Sequence, residues 1–261
     1  MSWLELVVLV VAGFAAGSIN GAVGSGSLVT LPVLLTMGLA PASAVTTNTI
    51  AMVLSAFGGV MAYRTELRTE MHQIRSLVVT SALGGIAGSF LLLTTPPGAI
   101  EIVVPVLIAF ALLLVAFQPK IARWVQTRAA KRRIEVNPYG SLGLRASVAG
   151  ASLYGGYFAA AQGVILLGVL GSFTGQPLGK INGVKNLLTL TVNFTAAIIF
   201  TVAAFTNNAD VVWPATAAIA LGATFGGYAG GRLAKEVPAW VLRGIIIAVA
   251  VVALVREIVL A

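Results

Sequence analysis

Apolar runs of membrane-crossing length recur along almost the whole chain, and no other feature restricts its folding as much. The long runs cover residues 3–20, 44–63, 74–95 and 100–118, then, beyond a polar stretch, 142–158, 184–205, 211–231 and 240–260. A helix rises about 1.5 Å per residue, so about 20 residues cross the ~30 Å hydrocarbon layer, and three of the runs in each half meet that length. Two shorter runs, 28–39 and 164–173, cannot cross alone. Each is expected to be the second arm of a broken helical hairpin. Backbone polar groups must be paired inside hydrocarbon, which points to an all-α polytopic membrane protein. Composition excludes a soluble alternative. Of 261 residues, 58% are hydrophobic and 9% charged, where a soluble domain carries about 25% charged residues.

Other classes fall away on similar grounds. The absence of cysteine removes disulfide and thiol chemistry,. The net charge of +8 does not indicate nucleic-acid binding, because the Lys and Arg residues lie between apolar runs, where they orient a membrane protein. Met1-Ser2-Trp3-Leu4-Glu5 lacks the basic start of a cleavable signal, so none is expected,. No Gly-x4-Gly-Lys-Ser/Thr pattern, Ser/His/Asp set or His-Glu-x-x-His motif occurs. The expected protein is therefore not an enzyme, with no cofactor and no metal. His72, the lone histidine, is expected on a solvated loop.

The chain reads as an internal duplication. Gly13 and Gly26 precede Gly150 and Gly163 by the same interval, and Asn48 precedes Asn186 by one residue more. Gly84-Gly85-Ile86-Ala87-Gly88 has its echo in Gly226-Gly227-Tyr228-Ala229-Gly230, and Pro96 in Pro238. A first transmembrane repeat is expected over 1–118, a basic cytoplasmic loop over 119–141 and a second repeat over 142–261. Five segments per repeat, an odd number, would invert the second against the first. The basic residues agree. The central stretch, 64–75 and 232–243 carry Lys and Arg and are expected inside, while the turns 95–99 and 207–210 carry neither and are expected outside,.

The chemistry is expected where the apolar runs are interrupted. Gly21–Ser27 contains Gly24, Ser25, Gly26 and Ser27. Glycines free the backbone from helical geometry, and Gly26 in particular is expected to need angles only glycine adopts. The helix that follows would aim its N–H groups and partial positive charge at this break, which suits an anion. A tight turn between helices is the plainer alternative. The matching stretch, Phe158-Ala-Ala-Ala-Gln162-Gly163, retains one glycine and adds a polar glutamine. Polar residues follow each hairpin: Thr46, Thr47 and Asn48 in the first half, Lys185, Asn186 and Asn193 in the second. Lys185 has two readings. It snorkels to the interface from the start of a long helix, or it faces the pathway as an anion's counter-charge. The glycine rows Gly84/Gly88 and Gly222/Gly226/Gly230 are expected to mark close helix packing. Carboxylates are scarce inside the runs. Glu5, Glu101, Asp210 and Glu257 all fall near segment ends, which disfavours a carboxylate proton relay.

Asn20-Gly21, Gly24-Ser25-Gly26-Ser27-Leu28-Val29-Thr30-Leu31-Pro32, then Gly38, Pro41, Ala44 and Thr47 resemble the glycine-rich signature of the TauE/SafE sulfite exporter family. Gly179-Lys180-Ile181-Asn182-Gly183-Val184-Lys185-Asn186 is similar to its second repeat. Here Gly24-Ser25-Gly26 stands in place of an unbroken glycine run, and Val169 stands where the first repeat has Pro32. The resemblance implies secondary transport of small sulfur-containing anions such as sulfite, sulfonates, sulfoacetate or thiosulfate across the cell membrane. An anion channel, or a transporter of another small organic anion, is the alternative. The expected substrate ligands are Asn20, Gly24, Ser25, Gly26, Ser27, Thr47, Asn48, Gln162, Gly163, Lys185 and Asn186. The expected partners are that small anion and the lipid bilayer, with no nucleic acid. A coupling proton or sodium ion and homo-oligomerisation stay open.

Overall fold

The computed structural model describes residues 1–22, 24–131, 137–233 and 244. The apolar run 240–260, apart from residue 244, and Pro238, Lys235 and Glu257 lie outside the described residues. Ten helices are present among the described residues: α1 (Trp3–Ala22), α2 (Ser27–Thr36), α3 (Pro41–Ala51), α4 (Val53–Ala62), α5 (Arg64–Thr94), α6 (Pro97–Lys131), α7 (Leu142–Phe158), α8 (Gln162–Thr174), α9 (Leu178–Phe205) and α10 (Trp213–Leu233). No strand is found there. Five stretches are long and apolar enough to cross a membrane: Trp3–Asn20, Pro41–Ala62, Arg64–Thr94, Pro97–Arg128 and Leu178–Phe205. The short α2 and α8 are not, as their sequence lengths require. The chain is an all-α, multi-pass membrane protein.

Three boundaries differ from the sequence expectation, for one physical reason. Helix α5 begins at Arg64, α6 continues to Lys131 and α9 begins at Leu178. Hydrophobicity marks where hydrocarbon ends, not where hydrogen bonding ends, so helices continue past it with polar residues. The segment 64–75 is therefore helical and His72 lies on it, exposed. Lys185 sits about two turns inside α9 instead of at its start. The run 44–63 is in turn two helices that meet at Met52.

The packing is inside-out relative to a soluble bundle. Exposed Ile102, Val106, Phe110, Leu113 and Phe117 line one stripe of α6, and Phe194, Ile198, Val202 and Phe205 another of α9. Steps of three and four residues keep each stripe on one helix face, and an apolar exposed face of this extent suits lipid. Polar side chains lie within: Thr47, Asn48, Gln162, Lys185 and Asn193 are all buried.

Two close helix pairs join the two halves of the chain, and glycines make both. In α1/α10, a side chain on Gly13 or Gly17 would overlap the backbone of Ile219 or Ala223, and one on Gly222 or Gly226 the backbone of Val10 or Phe14. In α5/α7, Gly88 faces the Leu153 carbonyl, and Gly156 that of Gly85. Serine hydroxyls bond across each pair. Ser18 donates to the Gly226 carbonyl at 3.1 Å and Ser89 to that of Gly156 at 3.4 Å. Without a hydrophobic drive in lipid, such backbone approach and hydrogen bonding are what join helices. Each pair takes one helix from the first half of the chain and one from the second.

Candidate functional site

Both short helices are entered through links that leave helical geometry. In the first, Gly24 has φ +79°, a conformation glycine adopts without penalty. In the second, Ala159 and Ala161 take φ 63° and 58°, where a Cβ meets the following carbonyl at about 1–2 kcal/mol per residue. Such strain persists only where surrounding contacts impose it, and it concentrates at functional sites. Here the Tyr154 hydroxyl donates to the Ala160 carbonyl at 2.8 Å and pins the link.

The two links meet. A Cβ placed on Gly163 would lie 2.7 Å from the Gly24 carbonyl oxygen, and one on Gly24 3.2 Å from Gly163 Cα. The first turns of α2 and α8 therefore begin at one place in the interior. The Leu28 and Val29 amides already donate to the Ser25 and Gly26 carbonyls, and those of Val164 and Ile165 to Ala161, which leaves the Ser27, Gln162 and Gly163 N–H groups without a partner among the described residues; both helix ends contribute partial positive charge. Lys185 arrives from α9. Its Nζ is 3.2 Å from the Gly24 Cβ position, and the residue is 1% exposed. Burial at this level, two turns inside α9, rules out snorkelling to an interface.

The polar groups here are left open. The Ser25 hydroxyl, beside Gly24, is buried without a hydrogen-bond partner among the described residues. So are both amide atoms of Gln162, beside Gly163, and exchanging its oxygen and nitrogen would change nothing. Buried polar atoms are paired in the great majority of cases, so these three, on the residues that adjoin Gly24 and Gly163 in the chain, have hydrogen-bonding capacity to spare, although the Gln162 amide itself lies against Gly155. Lys185 likewise forms no hydrogen bond or ion pair among the described residues. Everything fixed at this contact is neutral or positive.

The other expected ligands are more committed to the fold. Thr30, in the first turn of α2, donates to Asn48 Oδ1, while Asn48 Nδ2 stays unpartnered. Asn186 Nδ2 donates to the Gly59 carbonyl at 3.2 Å, and Asn20 Nδ2 to the Ser55 hydroxyl at 3.2 Å. Thr47 accepts from the Val212 N–H at 3.0 Å, next to Thr46, which donates to the Asp210 carbonyl at 2.8 Å. These two threonines tether the α9–α10 link to α3. Ser27 is buried at the start of α2. Gly26 differs from expectation. Its φ is −57°, ordinary helical backbone. What excludes a side chain there is the Ala16 carbonyl, which a Cβ would overlap. Sequence reasoning also missed Gly155, against which the Gln162 amide lies too closely for a Cβ. The pair Gly155-Gly156 was its only signal. It missed Tyr154 too, for which the sequence holds none.

Helices that cross a membrane, interrupted at a shared interior contact lined by open polar groups, define a membrane transporter. The sequence model of the family described as "Sulfite exporter TauE/SafE" matches residues 9–256, and the chain belongs to that family. It is 23% identical over 254 residues to the "Probable membrane transporter protein YfcA" of Escherichia coli K12, covering 97% of this chain and 89% of that one. A "Probable membrane transporter protein" of Haemophilus influenzae is 23% identical over 228 residues, covering 87% and 84%. The "Probable membrane transporter protein ORF9" of a Sinorhizobium species is 28% identical over 108 residues, 41% of each chain. No solved structure matches the chain.

Proposed function

We propose that the chain is a secondary transporter that moves a small sulfur-containing anion, of the sulfite, sulfonate, sulfoacetate or thiosulfate class, across the cytoplasmic membrane. Two inverted halves would rock about the meeting point of the helix breaks in alternating access. The family's description supplies the substrate class. One observation carries the site: Lys185, fully buried and without an ion-pair partner among the described residues, stands at the contact between Gly24 and Gly163.

A buried unpaired cation carries a desolvation penalty of several kcal/mol. An anion docked at the contact would offset it. The open Ser25 hydroxyl, the Gln162 amide and the N–H groups of Ser27, Gln162 and Gly163 would replace the anion's water. Hydrogen bonds to a charged group contribute about 1.5–3 kcal/mol. Lys185→Ala is therefore expected to weaken anion binding by about tenfold or more. The test is flux into proteoliposomes with sulfite, sulfoacetate and thiosulfate against acetate as control. Saturable uptake with counterflow, weakened in Lys185→Ala, is the expected outcome. Flux that rises without saturation would make the protein a channel, and equal rates in the variant would move the site elsewhere.

A further inference from the structure

Helix α6 packs along α8, yet the two leave a cavity of about 730 Å³ between them, the size of a small-ligand pocket. One wall is a stripe of α6: Phe110, Leu114, Phe117, Ile121 and Trp124, at alternating steps of four and three residues. Such steps keep side chains on one helix face. The other wall is α8, with Val164, Ile165, Gly168 and Val169. The groove opens toward the lipid face, since Phe110, Phe117 and Trp124 are each between two-fifths and one-half exposed. Phe110 and Trp124 are fourteen residues apart, or about 21 Å along the axis. One leaflet contributes about half of the ~30 Å hydrocarbon layer. The groove therefore has the depth of a single leaflet. Its Trp124 end is the headgroup end, because tryptophan gathers at that level and Lys120, Arg123 and Arg128 are exposed there,.

Two of these cations are held at the mouth of the groove. Lys120 Nζ lies 5.1 Å from the centre of the Phe117 ring, and the Arg128 guanidinium carbon 5.2 Å from that of Trp124. Both rings line the groove, so cation–π attraction keeps each charge beside it,. Helices α7 and α8 contain no Asp or Glu, and the one carboxylate of α6, Glu101, lies toward its far end. An apolar slot of leaflet depth with cations at its headgroup end is complementary to a lipid whose head is negative. We propose that this groove is a binding site for an anionic phospholipid. One acyl chain lies along the stripe from Phe110 to Ile121, and the phosphodiester meets Lys120 with Arg128 beside it. Gly168 keeps the slot open. A Cβ there would reach only ordinary contact, 3.6 Å from Ile121 Cγ2, so a longer side chain would take the space of the acyl chain. At the deep end the lipid meets Val164, the neighbour of Gly163 in the first turn of α8, and a seated chain braces that turn.

Native mass spectrometry of the purified protein in detergent tests the site. The probes are palmitoyl-oleoyl phosphatidylglycerol and the phosphatidylcholine with the same chains. One phosphatidylglycerol per chain is expected to be retained, at about fivefold or greater preference, which is the strength of one basic side chain toward an anionic headgroup. K120Q, a change at an exposed position, is expected to lower that preference about fivefold. G168L fills the slot and is expected to remove retention of both lipids with the basic end intact. If G168L does not survive purification, V169F, on the same wall, replaces it. Thermal midpoints are read in parallel. Phosphatidylglycerol is expected to raise that of the wild type more than phosphatidylcholine does, and glycerophosphoglycerol, the headgroup without its chains, is expected to leave it unchanged. Equal retention of the two lipids, or of neither, would overturn the proposal. Preference unchanged in both K120Q and the slot-filling variant would move the lipid elsewhere and overturn the site. Stabilisation by the headgroup alone would make this a phosphate site and overturn the role of the groove. A wild-type dimer that separates in G168L or V169F would give the groove to a second copy of the chain and overturn the lipid.

Discussion

A valine at position 26 would push its Cβ into the Ala16 carbonyl on the neighbouring turn of α1 and crowd Asn20 Cβ, 3.0 Å away. Overpacking against backbone costs about 1–3 kcal/mol, and relief requires α1 and α2 to separate beside Gly24. Gly26→Val is therefore expected to abolish uptake and to lower the thermal midpoint of the protein in detergent. Normal uptake would mean that the link is only a turn. Ala161 predicts the opposite sign. At φ 58° its Cβ is strained, so Ala161→Gly is expected to raise stability by about 0.5–1 kcal/mol. Differential scanning fluorimetry would detect that gain, and a loss would show that neighbouring contacts hold the Ala161 methyl group. The sequence named glycine as the agent of the first break and left the second with one glycine and a glutamine. It is so at Gly24, whereas the second link is bent by two alanines that no composition argument would select.

At the scale of elements, α5 and α9 are joined by the Glu70–Lys180 pair. Glu70 is buried, and Lys180 is about two-fifths exposed. Close by, Tyr139 is buried in the α6–α7 link, and burial together with the Glu70 carboxylate raises its phenol above the usual range. Lys180→Ala would leave Glu70 buried without its cation. Breaking a pair like this costs about 1–2 kcal/mol once the solvent at Lys180 is allowed for. The expected outcome is a lower thermal midpoint with anion affinity within about twofold of wild type, since the pair lies away from the Gly24–Gly163 contact. A tenfold loss of affinity would join Lys180 to the site. The sequence places Lys180 and Lys185 five residues apart, just before a long apolar run. With helix α9 beginning at Leu178, one of these lysines becomes an end-of-helix ion pair and the other an interior residue. That difference turned on where hydrogen bonding begins, which hydropathy does not record.

Across the whole molecule, α1 closes on α10 and α5 on α7, so neither half can shed its partner without breaking two glycine-lined contacts. Helix α6 offers a direct test of the expected orientation. Gly98 and Arg128 lie near its two ends, 30 residues or about 45 Å apart. In this cysteine-free chain, Gly98→Cys and Asn208→Cys are expected to react with an impermeant thiol reagent from outside the cell, and Arg128→Cys only after the membrane is opened. Labelling of positions 98 and 128 from the same side would exclude a crossing α6 and the inverted arrangement with it. The matching position Lys235 lies outside the described residues.

The residue pattern by itself determined that the chain is helical, that it lives in a membrane, that two of its helices are too short to cross it, and that its glycine rows join helices. These follow from properties each segment carries alone: apolar length, backbone satisfaction and the absence of a side chain. It also named Gly24, Ser25, Gln162, Gly163 and Lys185, without showing that they meet. Only the tertiary structure decided that, because the contact joins residues from three separate parts of the chain. It also decided that Thr47 is spent on the Val212 amide, that Gly26 is constrained by Ala16, and that Lys185 is buried beside Gly24. Whether a polar atom is satisfied depends on what the rest of the fold brings within 3.5 Å of it, and a sequence carries that information only once the chain has folded.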